Sequence, residues 1–342
     1  MWTASALAIT AVMVLSAGLT GAVSIHITTA ADRNSAGPLT GLLGGESKMK
    51  RALKSFTVGE GPLWPAYDPT NHYLYIPEAT AEQIQVFNTA NRLVAAIGTG
   101  SDTSPLAAAF DPQNNYVYVT NSEDPGSVWV ISGTSIIDTI TSPQINVPLG
   151  ITYDPGDAVM AVANWGGNDV AFLSGESVVS VTHVGTGPQD VAFDPYWSNL
   201  IVTNERTDNV TCINSENLDV DGNIAVGSSP TGIAFDPATS QDYVANYYSK
   251  NVTVISGSCT GPNGNIKGFD DPDDVAFQQS TLEMFVTNAG GATTSAISSA
   301  GKIVHTYAVG TGPSGLAYSD YTNDVYVTDY DGGIGTTVYV IT

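Results

Sequence analysis

The chain has 342 residues, with ten Lys and Arg against thirty-three Asp and Glu, for a net charge of −23. A body this acidic repels phosphate backbones and anionic headgroups, which argues against nucleic acid as a partner and leaves cations, basic partners or plain solubility. Two cysteines, Cys212 and Cys259, allow one disulfide or two buried thiols, and no paired-cysteine metal cluster.

From Met1 to Ala31 there is no Asp, Glu, Lys or Arg, and the stretch is apolar and proline-free. It is long enough for a helix of about 20 residues that spans a hydrocarbon core of about 30 Å. A cleaved secretory signal wants a basic region ahead of its apolar core. Here the first base is Arg33, although Thr28-Thr29-Ala30 can serve as a cleavage site. An uncleaved anchor is a second reading. A third is a helix that packs on its own copies, since Ala17/Gly21 and Gly18/Ala22 place small residues four apart.

Half of the ten basic residues (Arg33, Lys48, Lys50, Arg51 and Lys54) precede residue 55, where the only acids are Asp32 and Glu46. Residues 32–50 are rich in Gly and Ser and read as a linker.

A repeat follows. An aromatic residue leads an Asp-Pro turn at Tyr67, Phe110, Tyr153, Phe193 and Phe235, and the series continues at Phe277 and Tyr318 with altered followers. The spacings are 43, 43, 40, 42, 42 and 41. A Gly-Pro or Ser-Pro turn opens the unit, as at Gly61-Pro62, Ser104-Pro105, Gly187-Pro188, Ser229-Pro230 and Gly312-Pro313, a short strand runs to the aromatic, and Asp-Pro supplies the next turn in the first five units. A second strand ends on a polar residue, as in Tyr118-Val119-Thr120-Asn121, and a third resembles Val128-Trp129-Val130-Ile131. A fourth leads to the next turn. Four strands in about 42 residues define one propeller blade, so the expected fold is all-β, a seven-bladed β-propeller preceded by a hydrophobic α-helix. The seventh unit supplies three strands only, and the segment 51–58 fits the missing fourth place. The expected organisation is helix 1–31, linker 32–50, and propeller 51–342 closed by strand 51–58.

On the repeated Tyr-Val-Thr-Asn at 118–121 and its near copies, residues 51–342 resemble the YVTN family of seven-bladed repeat proteins. That resemblance implies a surface location in an archaeal or bacterial host, and related seven-bladed folds include lactonases. Residues 1–31 are similar in composition to the hydrophobic helix of archaeal type IV pilin-like proteins, which implies self-association in a filament.

Two positions after each opening proline stand Trp64, Ala107, Gly150, Asp190, Gly232, Asp274 and Gly315, the expected ring around the axis. Asp190, Asp273 and Asp274 are the candidate ligands for a hard cation such as Ca²⁺, with no other cofactor expected. His72, His183 and His305 fall in turns or outer strands, and Arg206 is the one arginine in a loop between second and third strands. No two of these converge by phase. Asn209-Val210-Thr211 and Asn251-Val252-Thr253 are candidate glycosylation sequons. The repeated Asn at the end of the second strand reads as a turn cap rather than a binding ring.

The expected function is therefore that of a non-catalytic structural or adhesion protein of the cell surface, an extracellular propeller displayed by a helix in a filament or membrane and open to surface proteins or glycans. The alternative is a secreted lactonase-like hydrolase, or a cation-dependent ligand-binding propeller, with its leader removed.

Overall fold

A computed structural model describes residues 53–342. The helix 1–31, with Ala17, Gly18, Gly21 and Ala22, and the linker 32–50 lie outside the described residues. Among the described residues there is no α-helix, only a 3-10 turn at Asp331–Gly333, and no helix is long and apolar enough to cross a membrane.

Among the described residues, twenty-eight strands form seven four-stranded antiparallel sheets. Blades 2 to 6 each take four consecutive strands, as in blade 4 with Pro188–Asp194, Asn199–Asn204, Asn209–Asn214 and Val220–Ala225. Blade 7 takes Pro313–Tyr318, Val325–Asp329 and Thr337–Ile341, and its outer strand is Leu53–Thr57. That strand pairs antiparallel with Thr337–Ile341 from Leu53↔Ile341 to Thr57↔Thr337, so the ring is closed by sheet hydrogen bonds. Exposed sheet edges invite pairing with other chains, and this closure removes one.

The sequence dictates the blade at three points. Each Asp of the Asp-Pro turns accepts a backbone N–H two residues on, as Asp68 does from Thr70 at 2.7 Å and Asp194 from Tyr196 at 2.7 Å. Blades 6 and 7 lack that pair and use Gln278 and Ser319 instead, with Thr281 and the Thr322 amide as their partners. The second strands are buried on both faces, as at Val159–Asn164, because each blade is sandwiched by its neighbours. Seven apolar clusters fill the seven seams between adjacent blades, and no common centre is needed. Outer strands alternate exposed and half-buried residues.

Blade 1 departs from the pattern. Its inner strand is only Ala66–Asp68, because Pro62 and Pro65 cannot donate to a ladder. Trp64 instead forms a parallel bridge to Ala107 of blade 2.

Candidate functional site

The inner strands bulge between the opening proline and the third residue after it in blades 2 to 7. The bulge takes the ring amide out of the ladder, and in blades 2, 4, 6 and 7 the Thr of the repeated motif supplies its partner. Thr203 accepts the Asp190 amide at 3.0 Å, Thr287 that of Asp274 at 2.8 Å, and Thr120 that of Ala107 at 3.1 Å. The same hydroxyls donate to the next blade, to Thr231 O at 2.6 Å, Ser314 O at 2.9 Å and Leu149 O at 2.8 Å. Tyr-Val-Thr-Asn is thus a stitch between blades.

The ring residues sit where the spacing placed them. Asp190 accepts the Val191 amide at 2.8 Å and, from the next blade, the Ile233 amide at 3.1 Å. Asp274 accepts Val275 and Leu316 amides, both at 2.7 Å. Each strut lies over a glycine of the preceding blade. A Cβ at Gly150 or Gly232 would lie 2.7 Å from the Cα of Asp190 or Asp274. Asp273 differs: among the described residues, its carboxyl's one hydrogen bond comes from Ser314 Oγ at 2.9 Å.

The three carboxyls repel one another, and burial raises all of them. Asp190 is pushed up to about 7 and Asp273 to about 6, chiefly by desolvation, and Asp274 rises well above the usual carboxylate range. Asp190 and Asp273 keep part of their surface open, so the cause is the surrounding protein rather than full exclusion of water. Among the described residues, no group of three or more His, Cys, Asp or Glu is placed to hold a metal ion. Asp190, Asp273 and Asp274 are two backbone struts and one open carboxyl, not a three-ligand cage.

Two hollows meet this ring. An axial cavity of ≈ 310 Å³ runs past Asp190 and Asp274 between walls that include Ile151, Val191 and Leu316. Trp64 lines it, and its Nε1 is buried without a partner among the described residues. A second hollow of ≈ 340 Å³ opens at the rim of blades 5 to 7, lined by Tyr247, Asp273, Ser314 and Tyr330 among others. On blades 3 and 4 the Arg206 guanidinium lies 3.9 Å from the centre of the Trp165 ring. Glu205 Oε2 accepts both Trp165 Nε1 at 2.9 Å and Gln189 Nε2 at 3.2 Å. Neither hollow is lined by His72, His183 or His305. The rim aromatics follow the repeated polar residue, in Asn164-Trp165, Asn246-Tyr247 and Asp329-Tyr330. That recurrence was the signal available in the sequence.

Elsewhere, Cys212 and Cys259 are joined in a disulfide between blades 4 and 5, with Cα atoms 6.3 Å apart. In the two sequons, Asn209 Oδ1 accepts Asn204 Nδ2 at 2.9 Å and Asn251 Oδ1 accepts Asn246 Nδ2 at 2.8 Å. Thr211 and Thr253 of the same sequons are buried. The repeated Asn therefore ties the second strand to the third.

Fold and ring define a seven-bladed β-propeller with an acidic axial site. No protein-family model matches the chain, and no curated protein matches it. The resemblances to YVTN repeats and to pilin-like helices thus remain expectations. Solved structures do match. A streptogramin B lyase aligns with a TM-score of 0.74 at 12% identity, covering 85% of this chain and 97% of that one. A catalytically inactive histidine-to-alanine variant of virginiamycin B lyase from Staphylococcus aureus, solved with quinupristin, gives 0.74 at 14% identity, over 86% of this chain and all (100%) of that one. Kuenenia stuttgartiensis hydrazine synthase gives 0.70 at 18% identity, over 82% of this chain and 95% of that one. At these identities the likeness is one of fold. It nevertheless corrects the expectation of a non-catalytic chain: these similar folds belong to enzymes, and a rigid ring does not by itself mark a scaffold. The adhesion reading gains no support.

Proposed function

We propose that the chain is an exported propeller enzyme that opens an ester or lactone ring in a small ligand held at the rim of blades 5 to 7. Asp273 is the base. The observation that carries this reading is a carboxyl raised to about 6, held by one hydrogen bond from Ser314 and facing a hollow walled by Tyr247 and Tyr330. A base poised near the working pH combines the ionised state with useful proton affinity. The same group serves either route. It can take a proton from water that attacks the carbonyl, or from the carbon next to the one bearing the ester oxygen, so that a C=C bond forms as the C–O bond breaks and the carboxylate leaves; the likeness to lyases supports keeping the second route. The chain's charge disfavours anionic ligands and favours neutral or cationic ones. The disulfide supports an oxidising, extracytoplasmic location.

A panel of lactones, esters and cyclic depsipeptides, read by product mass, tests it. Hydrolysis adds the mass of water and elimination adds none. Asp273→Asn should lower turnover by about 10²–10⁴-fold without lowering the melting temperature. Unchanged turnover in that variant would remove Asp273 from the role.

A further inference from the structure

The seam between blades 4 and 5 carries a feature that the repeat does not require. The residue four positions before the end of each second strand is apolar and buried in six blades: Leu74, Val117, Met160, Leu200, Met284 and Val325. In blade 5 it is Asp242, which is 0% exposed, and no N–H or hydroxyl donor among the described residues reaches either carboxylate oxygen. Facing it from blade 4 is Asp194, also 0% exposed, close enough for the two carboxyls to share a hydrogen bond. Asp194 Oδ1 is committed to the Tyr196 and Trp197 amides, but Oδ2 has no partner.

A third group points to the same place. Asn199 stands directly across the strand pair from Asp194 and is 5% exposed. Its Nδ2 donates to Gly257 O of blade 5 at 2.7 Å, while its Oδ1 has no partner. Gly257 lies against Asp194, where any Cβ would overlap Oδ2.

The neighbouring seam is an internal control. Between blades 3 and 4 the equivalent positions are Asp154, Ser215 and Leu200. There Ser215 Oγ donates to Asp154 Oδ1, only Oδ2 is left without a partner, and no second carboxylate enters. In blade 5 the serine has become Gly257 and the leucine Asp242. A donor was removed and a charge added at one spot.

Two buried carboxylates without a counter-charge are too costly to stand alone. A shared proton would satisfy two of the four orphaned oxygens and leave one of Asp242 and Asn199 Oδ1 unpaired. A hard divalent cation takes six to eight oxygen ligands, matches the two negative charges, and accepts carboxylate, amide and backbone carbonyl oxygens together. We infer that the seam of blades 4 and 5 is a structural Ca²⁺ site, built by Asp194 and Asn199 of one blade and Asp242 with the Gly257 carbonyl of the next. It is separate from the axial ring. The Cys212–Cys259 disulfide closes the same seam beside it, with Cys259 Sγ 3.9 Å from Asn199 Nδ2.

The test uses the full, disulfide-bonded chain stripped with a chelator, with CaCl₂ and Tb³⁺ as the probes. Trp197 is adjacent, its Cδ1 3.1 Å from the Cβ position of Gly257, so bound Tb³⁺ should show Trp-sensitised luminescence that calcium displaces. Calcium should raise the melting temperature saturably. Asp242→Leu, which restores the residue of blade 4, should lose both responses, with at least a tenfold weaker apparent affinity. Asp194→Asn keeps an Oδ1 acceptor for the turn and should lose them too, which covers a failure of the first variant to fold. An equal calcium response in wild type and both variants would place the ion elsewhere and overturn the site. So would a wild type that ignores both metals, the result expected if the pair merely shares a proton.

Discussion

Thr203 of blade 4 donates its hydroxyl to the Thr231 carbonyl of blade 5 at 2.6 Å, and the same oxygen accepts the Asp190 amide at 3.0 Å. One buried atom therefore joins the bulge of its own blade to the inner strand of the next. Thr203→Val keeps the shape and removes both bonds, leaving a buried amide and a buried carbonyl short of a partner. The expected cost is about 1–3 kcal/mol, read from urea unfolding.

Ring glycines differ from rim glycines in what surrounds them. A Cβ at Gly232 would meet the Asp274 Cα at 2.7 Å and the Asp273 carbonyl at 2.8 Å, neither of which can swing aside. Gly264 has nothing within 4 Å. Gly232→Ala should cost about 1–3 kcal/mol. Gly264→Ala in the outer strand should stay within about 0.5 kcal/mol of wild type. The contrast is read from paired denaturation curves.

Every turn between first and second strands ends on a left-handed residue that is not glycine: His72, Asn115, Ala158, Ser198, Ser240, Leu282 and Asn323. Leu282 suits the place least, with φ of 56° and a side chain 49% exposed. Asn tolerates this conformation, and blades 2 and 7 already use it. Leu282→Asn should stabilise the chain by about 0.5–1 kcal/mol, seen as a higher melting temperature.

Glu78 replaces the repeated Asn in blade 1 and is wholly buried, with its carboxyl pushed up to about 7 by desolvation against an ordinary 4.5. Between those values the folded chain holds a proton that the unfolded chain has lost. This contribution is complete below about 4.5 and disappears as pH rises through about 7. Asp190, raised to about 7, and Asp273, raised to about 6, act in the same direction. Melting temperature should fall from pH 5 to pH 8, and Glu78→Gln should flatten part of that slope. Stability that rises over this range would contradict the assignment.

What the sequence revealed depended on whether a residue's partner lies within one repeat. The aromatic-Asp-Pro spacing phased all seven blades, and the orphan segment 51–58 announced the closing strand now seen at Leu53–Thr57. The axial ring was legible for the same reason, since position within a blade fixes distance from the axis. The chemistry was less so. Asp190 and Asp274 looked like free ligands, but their acceptors are occupied by Ile233 and Leu316 of following blades. The open carboxyl is Asp273, one residue off the ring. Asp242 was visible as an Asp among Leu, Val and Met at one register position. Its partners Asp194 and Asn199 come from the blade before, and only the packed seam brings them together.

The most direct measurement is the pH dependence of kcat/KM for ring opening, in wild type and in Asp273→Asn. With Asp273 as base, the wild-type rate should climb through a pKa near 6, the value to which burial raises this carboxyl, and level off above it. The variant should lose both the limb and the rate, while its melting temperature stays at or above that of wild type, since the pH-dependent cost of this buried carboxyl goes with it. A profile that keeps its limb in Asp273→Asn, or a chain that turns over no ester or lactone at any pH, would contradict the proposed function.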